Sequence, residues 1–198
     1  MYGPANAASK IAWRAHLSTA RRELPQGLRE AEASALASAA VRDLHPTSGD
    51  TICCYVPMRS EPGSLELVER LRGAGARVLL PVTAPGRPLD WSEYTSARAL
   101  RRGTLGVDEP VGPRLGSAAV LRASALLVPA LAVDRRGFRL GRGGGYYDRT
   151  LALLTTGTPV IAIVRDVEIV DKLPSEPHDR PVTAALTPGL GLVPLAGG

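Results

Sequence analysis

The chain has 198 residues, 44% hydrophobic and 22% charged, with a mean hydropathy near zero; a chain of this size buries roughly 70% of its unfolded surface and builds a core without disulfide or metal staples. The longest unbroken apolar stretch, Ala125 to Val133, includes Pro129 and is far shorter than the roughly 20 residues of a membrane span, so no transmembrane helix and no membrane partner are expected. Met1 to Lys10 is small and polar, without a basic leader or an apolar run, and a cytoplasmic location is expected.

The net charge of +5 is unevenly distributed: residues 101–150 carry +5, while the other three quarters nearly cancel. Arg supplies all the cations except Lys10 and Lys172, and aromatic residues make up only 4% of the chain. A nucleic-acid-binding face spreads cations and interleaves aromatics for stacking. Cations gathered around one glycine loop instead favour a discrete phosphate site, and no nucleic-acid partner is expected.

Taken in chain order, Ser9 can cap a helix running to about Leu24, with Trp13, Leu17, Ala20 and Leu24 as its apolar stripe, and Pro25 ends it. An alanine-rich helix follows from about Gln26 to Leu44, stopping before Pro46. Thr51 to Val56 reads as a buried strand, Leu65 to Arg72 as a helix and Arg77 to Pro81 as the next strand. Neighbouring strand positions face opposite ways, so Cys53 and Cys54 are expected to be small buried hydrophobes that neither pair nor share a metal. Leu89 to Tyr94 is a further strand, and Arg101 to Pro113 reads as loop or edge structure. Ala125 to Pro129 is a core strand, Asp134 to Gly137 a hairpin turn, and the glycine loop opens a helix to about Leu154. Val160 to Val164 and Val182 to Leu186 supply the last strands. The alternation predicts one α/β domain over residues 1–198, a mainly parallel sheet with helices on both faces in a Rossmann-like three-layer arrangement.

The chemistry concentrates in Arg139-Leu140-Gly141-Arg142-Gly143-Gly144-Gly145-Tyr146-Tyr147-Asp148. Four glycines in five positions let backbone amides wrap an anion. Arg139 and Arg142 offer planar forks for phosphate oxygens, and Asp148 could hold Mg²⁺. Tyr146 stands where a dinucleotide fingerprint needs its third Gly, and no Walker ending occurs; a glycine cluster can also be a plain flexible turn.

The run Asp134-x-x-Gly137-x-Arg139-Leu140-Gly141-x-Gly143-x-Gly145-Tyr146-Tyr147-Asp148-Arg149 closely resembles the signature of the 5-formyltetrahydrofolate cyclo-ligase family, also called 5,10-methenyltetrahydrofolate synthetases. Lys10 and Arg14, Pro57 to Glu61, Gly106 to Pro110, Leu173-Pro174 and His178-Asp179 follow the family order, so the similarity spans about residues 10–188. The chain departs from the family pattern at Arg165, Glu168 and Thr183. The resemblance implies a monomeric enzyme using ATP and Mg²⁺ to convert 5-formyltetrahydrofolate into 5,10-methenyltetrahydrofolate. It implies nucleotide contacts from Lys10, Arg14, Arg139, Leu140, Gly141, Arg142, Gly143, Gly144, Gly145, Tyr146 and Tyr147. It further implies folate contacts from Met58, Glu61, Arg142 and Tyr146, catalytic roles for Arg142 and Tyr146, and a metal ligand in Asp148. Residue by residue, blander readings stand beside these: a solvated basic face for Lys10 and Arg14 with Arg21 nearby, a surface carboxylate for Glu61, and ordinary packing for one of the two tyrosines. A non-catalytic nucleotide- or folate-binding protein on the same scaffold is the alternative function.

Overall fold

Ser9 accepts a hydrogen bond from the Ala12 amide at 3.3 Å and starts α1 (Lys10–Glu23), as the capping residue requires. The computed structural model describes residues 9–58, 60–155, 157–176 and 179–196; Met1 to Ala8 and His178 lie outside them. Trp13 and Leu17 are buried, and the next residue on that stripe is Arg21, buried to 2% exposure, in place of the apolar Ala20 and Leu24 that the spacing suggested. α2 (Gln26–Leu44) matches its expected limits and ends on His45 in the left-handed conformation ahead of Pro46.

In chain order there follow β1 (Thr51–Cys53), α3 (Leu65–Gly73), β2 (Arg77–Val82), β3 (Asp90–Glu93), β4 (Leu100–Arg102), β5 (Asp108–Pro110), β6 (Ala125–Pro129), β7 (Ala132–Asp134), β8 (Arg139–Leu140), α4 (Tyr146–Leu151), β9 (Val160–Ile163), β10 (Ile169–Val170), β11 (Ala184–Thr187) and β12 (Gly191–Pro194). The main sheet runs β12-β11-β9-β6-β1-β2-β3. Its five inner strands are parallel, and β3 and β12 close the two edges antiparallel. α2 and α3 cover one face, where Leu36, Ala37, Leu67 and Leu71 share a core with Ile52, Cys54 and Val78. The other face packs Val120 and Leu151, from a short helical turn and α4, against Cys53, Leu79 and Leu126. The two adjacent cysteines thus enter opposite cores, as strand alternation dictates. A small sheet, β10-β7-β8, carries α1 through Trp13 and Leu17 against Leu131, Ala132 and Leu140. Among the described residues no helix is long and apolar enough to cross a membrane.

Several limits differ from the sequence expectation, each for a local reason. Strand pairing at β1 stops at Cys53; the Cys54 amide still reaches the Leu79 carbonyl at 2.9 Å, and then Pro57, which lacks an amide, lets the chain leave the sheet. α4 ends at Leu151, not Leu154, because Leu153 and Leu154 bond back only three residues, to Thr150 and Leu151. The segment from Arg101 to Pro113, expected as loop or edge structure, contains β5 and most of β4, which pair as a hairpin. β12, with Pro194 at its end, is an edge strand where proline is tolerated. The antiparallel β12 and the two-residue β10 carry too few residues to announce themselves by period.

Candidate active site

β8 delivers Arg139 to the start of the glycine loop and α4 receives the chain from it. Gly143 and Gly145 have φ of +99° and +68°, a region that costs a side-chain-bearing residue and suits glycine. The loop is held by its carbonyls: Arg14 Nε donates to Gly141 O at 2.9 Å, and Arg149 Nη2 donates to Gly144 O at 3.1 Å. Among the described residues, the backbone amides of residues 141–145 donate to no protein acceptor. A row of unpartnered amides beside arginines is an anion cradle.

Two cavities meet at this loop. The first, of about 300 Å³, lies between the loop, the segment after β1 and the β4–β5 hairpin. The second, of about 660 Å³, lies between the loop, the start of α1 and residues Pro174, Ser175, Glu176 and Asp179. Arg139, Gly141, Gly143, Gly145 and Asp148 border both, so the loop is their common wall.

The first cavity is mainly apolar, with Tyr55, Met58, Leu131, Tyr146 and Tyr147 in its lining. Glu61, 8% exposed, is held through both oxygens: Oε1 accepts from Arg142 Nε at 3.0 Å and Oε2 from the Met58 amide at 2.8 Å. Arg142 also donates to Ser60 Oγ at 3.0 Å. Burial, reinforced by the Glu61 charge, pushes the Tyr147 hydroxyl well above its ordinary pKa and keeps it protonated. Tyr55 is raised for the same two reasons and donates to the Pro62 carbonyl at 2.8 Å. Both loop tyrosines border the cavity; Tyr146 additionally lies under the Arg149 guanidinium, 5.0 Å from its ring centre.

The second cavity is polar. Lys10 Nζ lies 2.8 Å from Asp179 Oδ2 and 3.1 Å from Glu176 Oε2. Burial alone lowers the Lys10 pKa, but its hydrogen bonds to Asp179 and Glu176 and their charges outweigh this and raise it. Lys10 is therefore no solvated face residue: its side chain is 16% exposed. Arg139 Nη2 donates to Asp148 Oδ1 at 2.7 Å, while its Nε is buried without a partner, an arrangement costing about 1–3 kcal/mol unless a ligand supplies an acceptor.

The structure brings Lys10, Arg14, Arg139, Leu140, Gly141, Gly143, Gly145 and Asp148 together on the second cavity. Met58, Glu61, Arg142, Gly144, Tyr146 and Tyr147 border the first and not the second, although the last four were also expected at the nucleotide. Arg21 does not join Lys10 and Arg14. It turns inward to a two-pronged ion pair with Glu168, 2.7 Å on each side, and donates to the Ala130 carbonyl at 2.7 Å. The three departures from the family pattern border neither cavity: Glu168 and Arg165 belong to this buried pair and its neighbour Glu32, and Thr183 Oγ1 bonds both polar groups of Val160. Sequence reasoning missed Leu105, Val107 and Glu109, which the β4–β5 hairpin and its turn bring to the first cavity.

The family model described as the 5-formyltetrahydrofolate cyclo-ligase family matches residues 6–188. A 5-formyltetrahydrofolate cyclo-ligase of Mycolicibacterium smegmatis is 47% identical over 197 residues, covering 94% of this chain and 97% of that protein. The protein of the same name from Escherichia coli K12 is 34% identical over 141 residues, covering 70% and 78%. In structure, a 5,10-methenyltetrahydrofolate synthetase of Aquifex aeolicus superposes with a TM-score of 0.79 at 24% identity, covering 96% of this chain and 94% of that one. One from Mycoplasma pneumoniae gives 0.72 at 21% identity, covering 91% and 99%. With this fold and this loop, the chain belongs to the 5-formyltetrahydrofolate cyclo-ligase family of ligases.

Proposed function

We propose that the protein catalyses the ATP- and Mg²⁺-dependent cyclisation of 5-formyltetrahydrofolate to 5,10-methenyltetrahydrofolate, releasing ADP and phosphate. The observation that carries this is the shared wall: a polar cavity lined by Lys10 and Arg14 and a mainly apolar cavity lined by Tyr146 and Tyr147 meet at one glycine loop. A reaction that passes a phosphoryl group from one bound molecule to another needs such a wall, with anion donors that serve both sides.

The triphosphate lies in the second cavity against Lys10, Arg14 and the loop amides, and the folate in the first against Met58, Tyr146 and Tyr147. The formyl oxygen attacks the γ-phosphorus and ADP leaves. Nitrogen-10 then attacks the formyl carbon, the carbon–oxygen bond breaks, phosphate departs and the proton on nitrogen-10 is lost. A formamide is a poor electrophile, and phosphorylation turns its oxygen into a leaving group. The protein contributes position and charge: Arg139 Nε and the loop amides face the transferring group, Glu61 fixes Arg142, and the Tyr147 hydroxyl, kept protonated by burial and by Glu61, adds no charge of its own to the folate cavity.

Mg²⁺ fits the donor set. Among the described residues no cluster of three His, Cys, Asp or Glu could hold a metal, but Asp148 Oδ1 is tied to Arg139 while Oδ2 accepts no hydrogen bond. One carboxylate plus phosphate oxygens is how Mg²⁺ is usually bound beside a nucleotide, where it offsets phosphate charge. The residues assigned to both ligands come from a single chain, which supports a monomer as the working unit.

Purified protein mixed with 5-formyltetrahydrofolate, ATP and Mg²⁺ should develop the absorbance of the methenyl product, and omission of either ATP or Mg²⁺ should abolish it. Binding of both ligands without product would establish the non-catalytic alternative.

A further inference from the structure

Asp134, at the end of β7, is completely buried and borders neither cavity, yet five hydrogen bonds converge on its carboxylate. Oδ1 accepts from the Arg136 and Phe138 amides, each at 3.0 Å, and closes the turn in which Gly137 has φ of +88°. Oδ2 accepts from Arg136 Nη2 at 2.7 Å, from Arg136 Nε at 3.1 Å and from the Leu173 amide at 3.0 Å. Arg136 Nη2 in turn donates to the Leu173 carbonyl at 3.0 Å, so the Asp134–Arg136 pair takes both backbone groups of Leu173. Leu173 is 2% exposed and shares a core with Trp13, Leu17 and Leu140. From there the chain enters Pro174, Ser175 and Glu176, which with Asp179 form one wall of the second cavity. Asp179 Oδ2 accepts from the Glu176 amide at 2.7 Å, and the two acids hold Lys10 Nζ at 2.8 and 3.1 Å.

We infer that Asp134 is a positioning residue for the nucleotide: through Leu173 it sets the wall that carries Glu176 and Asp179, and through that wall the ammonium of Lys10. The assignment rests on the place proposed above for the triphosphate in the second cavity. A turn of this kind needs only one side-chain oxygen, on the amides that follow it, and Oδ1 meets that need. A second buried oxygen is costly unless donors meet it, and here one of those donors is the backbone at the foot of the cavity wall. The Lys10 stem is long and flexible, so its ammonium stands at a fixed point only as far as its two acids do. A displacement of order 1 Å between a ligand and the group that positions it weakens function by up to about 100-fold.

The test is Asp134→Asn in the full chain. With its carbonyl on the two turn amides, the asparagine keeps β8 in register, while its amino group confronts the Leu173 amide and the Arg136 fork; the loss is confined to the Leu173 side. The dissociation constant for a non-hydrolysable ATP analogue, measured calorimetrically without folate, should rise roughly 10-fold. That for 5-formyltetrahydrofolate, measured without nucleotide at the same temperature, should change less than about threefold, whatever the fall in melting temperature. Because Asp134 acts through Lys10, the effects of Asp134→Asn and Lys10→Ala on the analogue should multiply to less than their product when combined. If Asp134→Asn does not fold, Arg136→Met carries the test: Arg136 is half exposed, its loss frees the Leu173 carbonyl and leaves both turn amides on Asp134, and the analogue should bind roughly 3- to 10-fold more weakly with folate affinity kept. Unchanged analogue affinity, equal losses for both ligands, or full multiplication with Lys10→Ala would overturn the assignment and leave Asp134 as a turn and stability residue. Failure of the parent protein to bind the analogue would instead refute the nucleotide reading of the second cavity, and the assignment with it.

Discussion

Glu168→Ala should be among the most damaging single substitutions outside the cavities. Arg21 and Glu168 are 2% and 3% exposed at the side chain and meet through two hydrogen bonds of 2.7 Å; Glu168 Oε2 also accepts from the Arg165 amide at 2.7 Å. Removing the carboxylate leaves the buried Arg21 guanidinium with only the Ala130 and Leu131 carbonyls, and Arg165 with Glu32 alone. An uncompensated buried charge costs about 3–5 kcal/mol, a large part of the roughly 5–15 kcal/mol that holds a domain together. At about 2–4 °C per kcal/mol for this chain length, the melting temperature should fall by roughly 6–20 °C. Urea denaturation and thermal melts of Glu168→Ala, alongside the double variant Arg21→Met with Glu168→Leu, separate charge burial from lost packing. The double variant should recover most of the loss, because both charges then leave the interior together. A single variant that loses under about 1 kcal/mol, or a double variant as unstable as the single, would refute the reasoning.

Three further outcomes follow from the cavities and the core. Gly143→Val forces a β-branched residue to φ +99° and puts its Cβ 3.6 Å from the Arg14 guanidinium carbon; nucleotide binding should be lost in calorimetry, and retained affinity would remove the loop from the phosphate site. Arg14→Ala breaks the clamp on Gly141 and removes a charge-assisted contact of about 1.5–3 kcal/mol, so ATP should bind roughly 10- to 100-fold more weakly while folate affinity measured alone stays unchanged. Burial raises both thiols, that of Cys54 to about 12, against about 8.5 in an unfolded chain. Above pH 8.5 the unfolded state therefore releases protons that the folded state keeps, and the thiol contribution to stability should be flat between pH 7 and 8 and fall above pH 9 by about 1.4 kcal/mol per pH unit for each thiol. A urea midpoint unchanged between pH 7 and 10.5 would contradict that burial.

The helices were legible because each carries its own punctuation: Ser9 caps α1, Pro25 separates it from α2, and Pro46 stops α2, leaving tertiary contacts little to decide. The inner parallel strands were legible as apolar runs. The β4–β5 hairpin was not, since its strands have three residues each and contain Arg101, Arg102, Asp108 and Glu109, a composition that resembles a loop until a cavity is found beneath it. The same segment hides Glu109, a carboxylate that looks like surface charge in sequence. Arg21 shows the opposite failure: its helical position was visible, but a long-range partner 147 residues away decides that it is buried. The glycine loop was readable as an anion site. That it divides two cavities is a consequence of where β8, α1 and the hairpin converge, which no local pattern encodes.

The most direct test of the central claim follows the formyl oxygen. With 5-formyltetrahydrofolate labelled with ¹⁸O at the formyl group, ATP and Mg²⁺, each equivalent of methenyl product should be accompanied by one equivalent of labelled inorganic phosphate; unlabelled phosphate formed in step with that product would contradict the account.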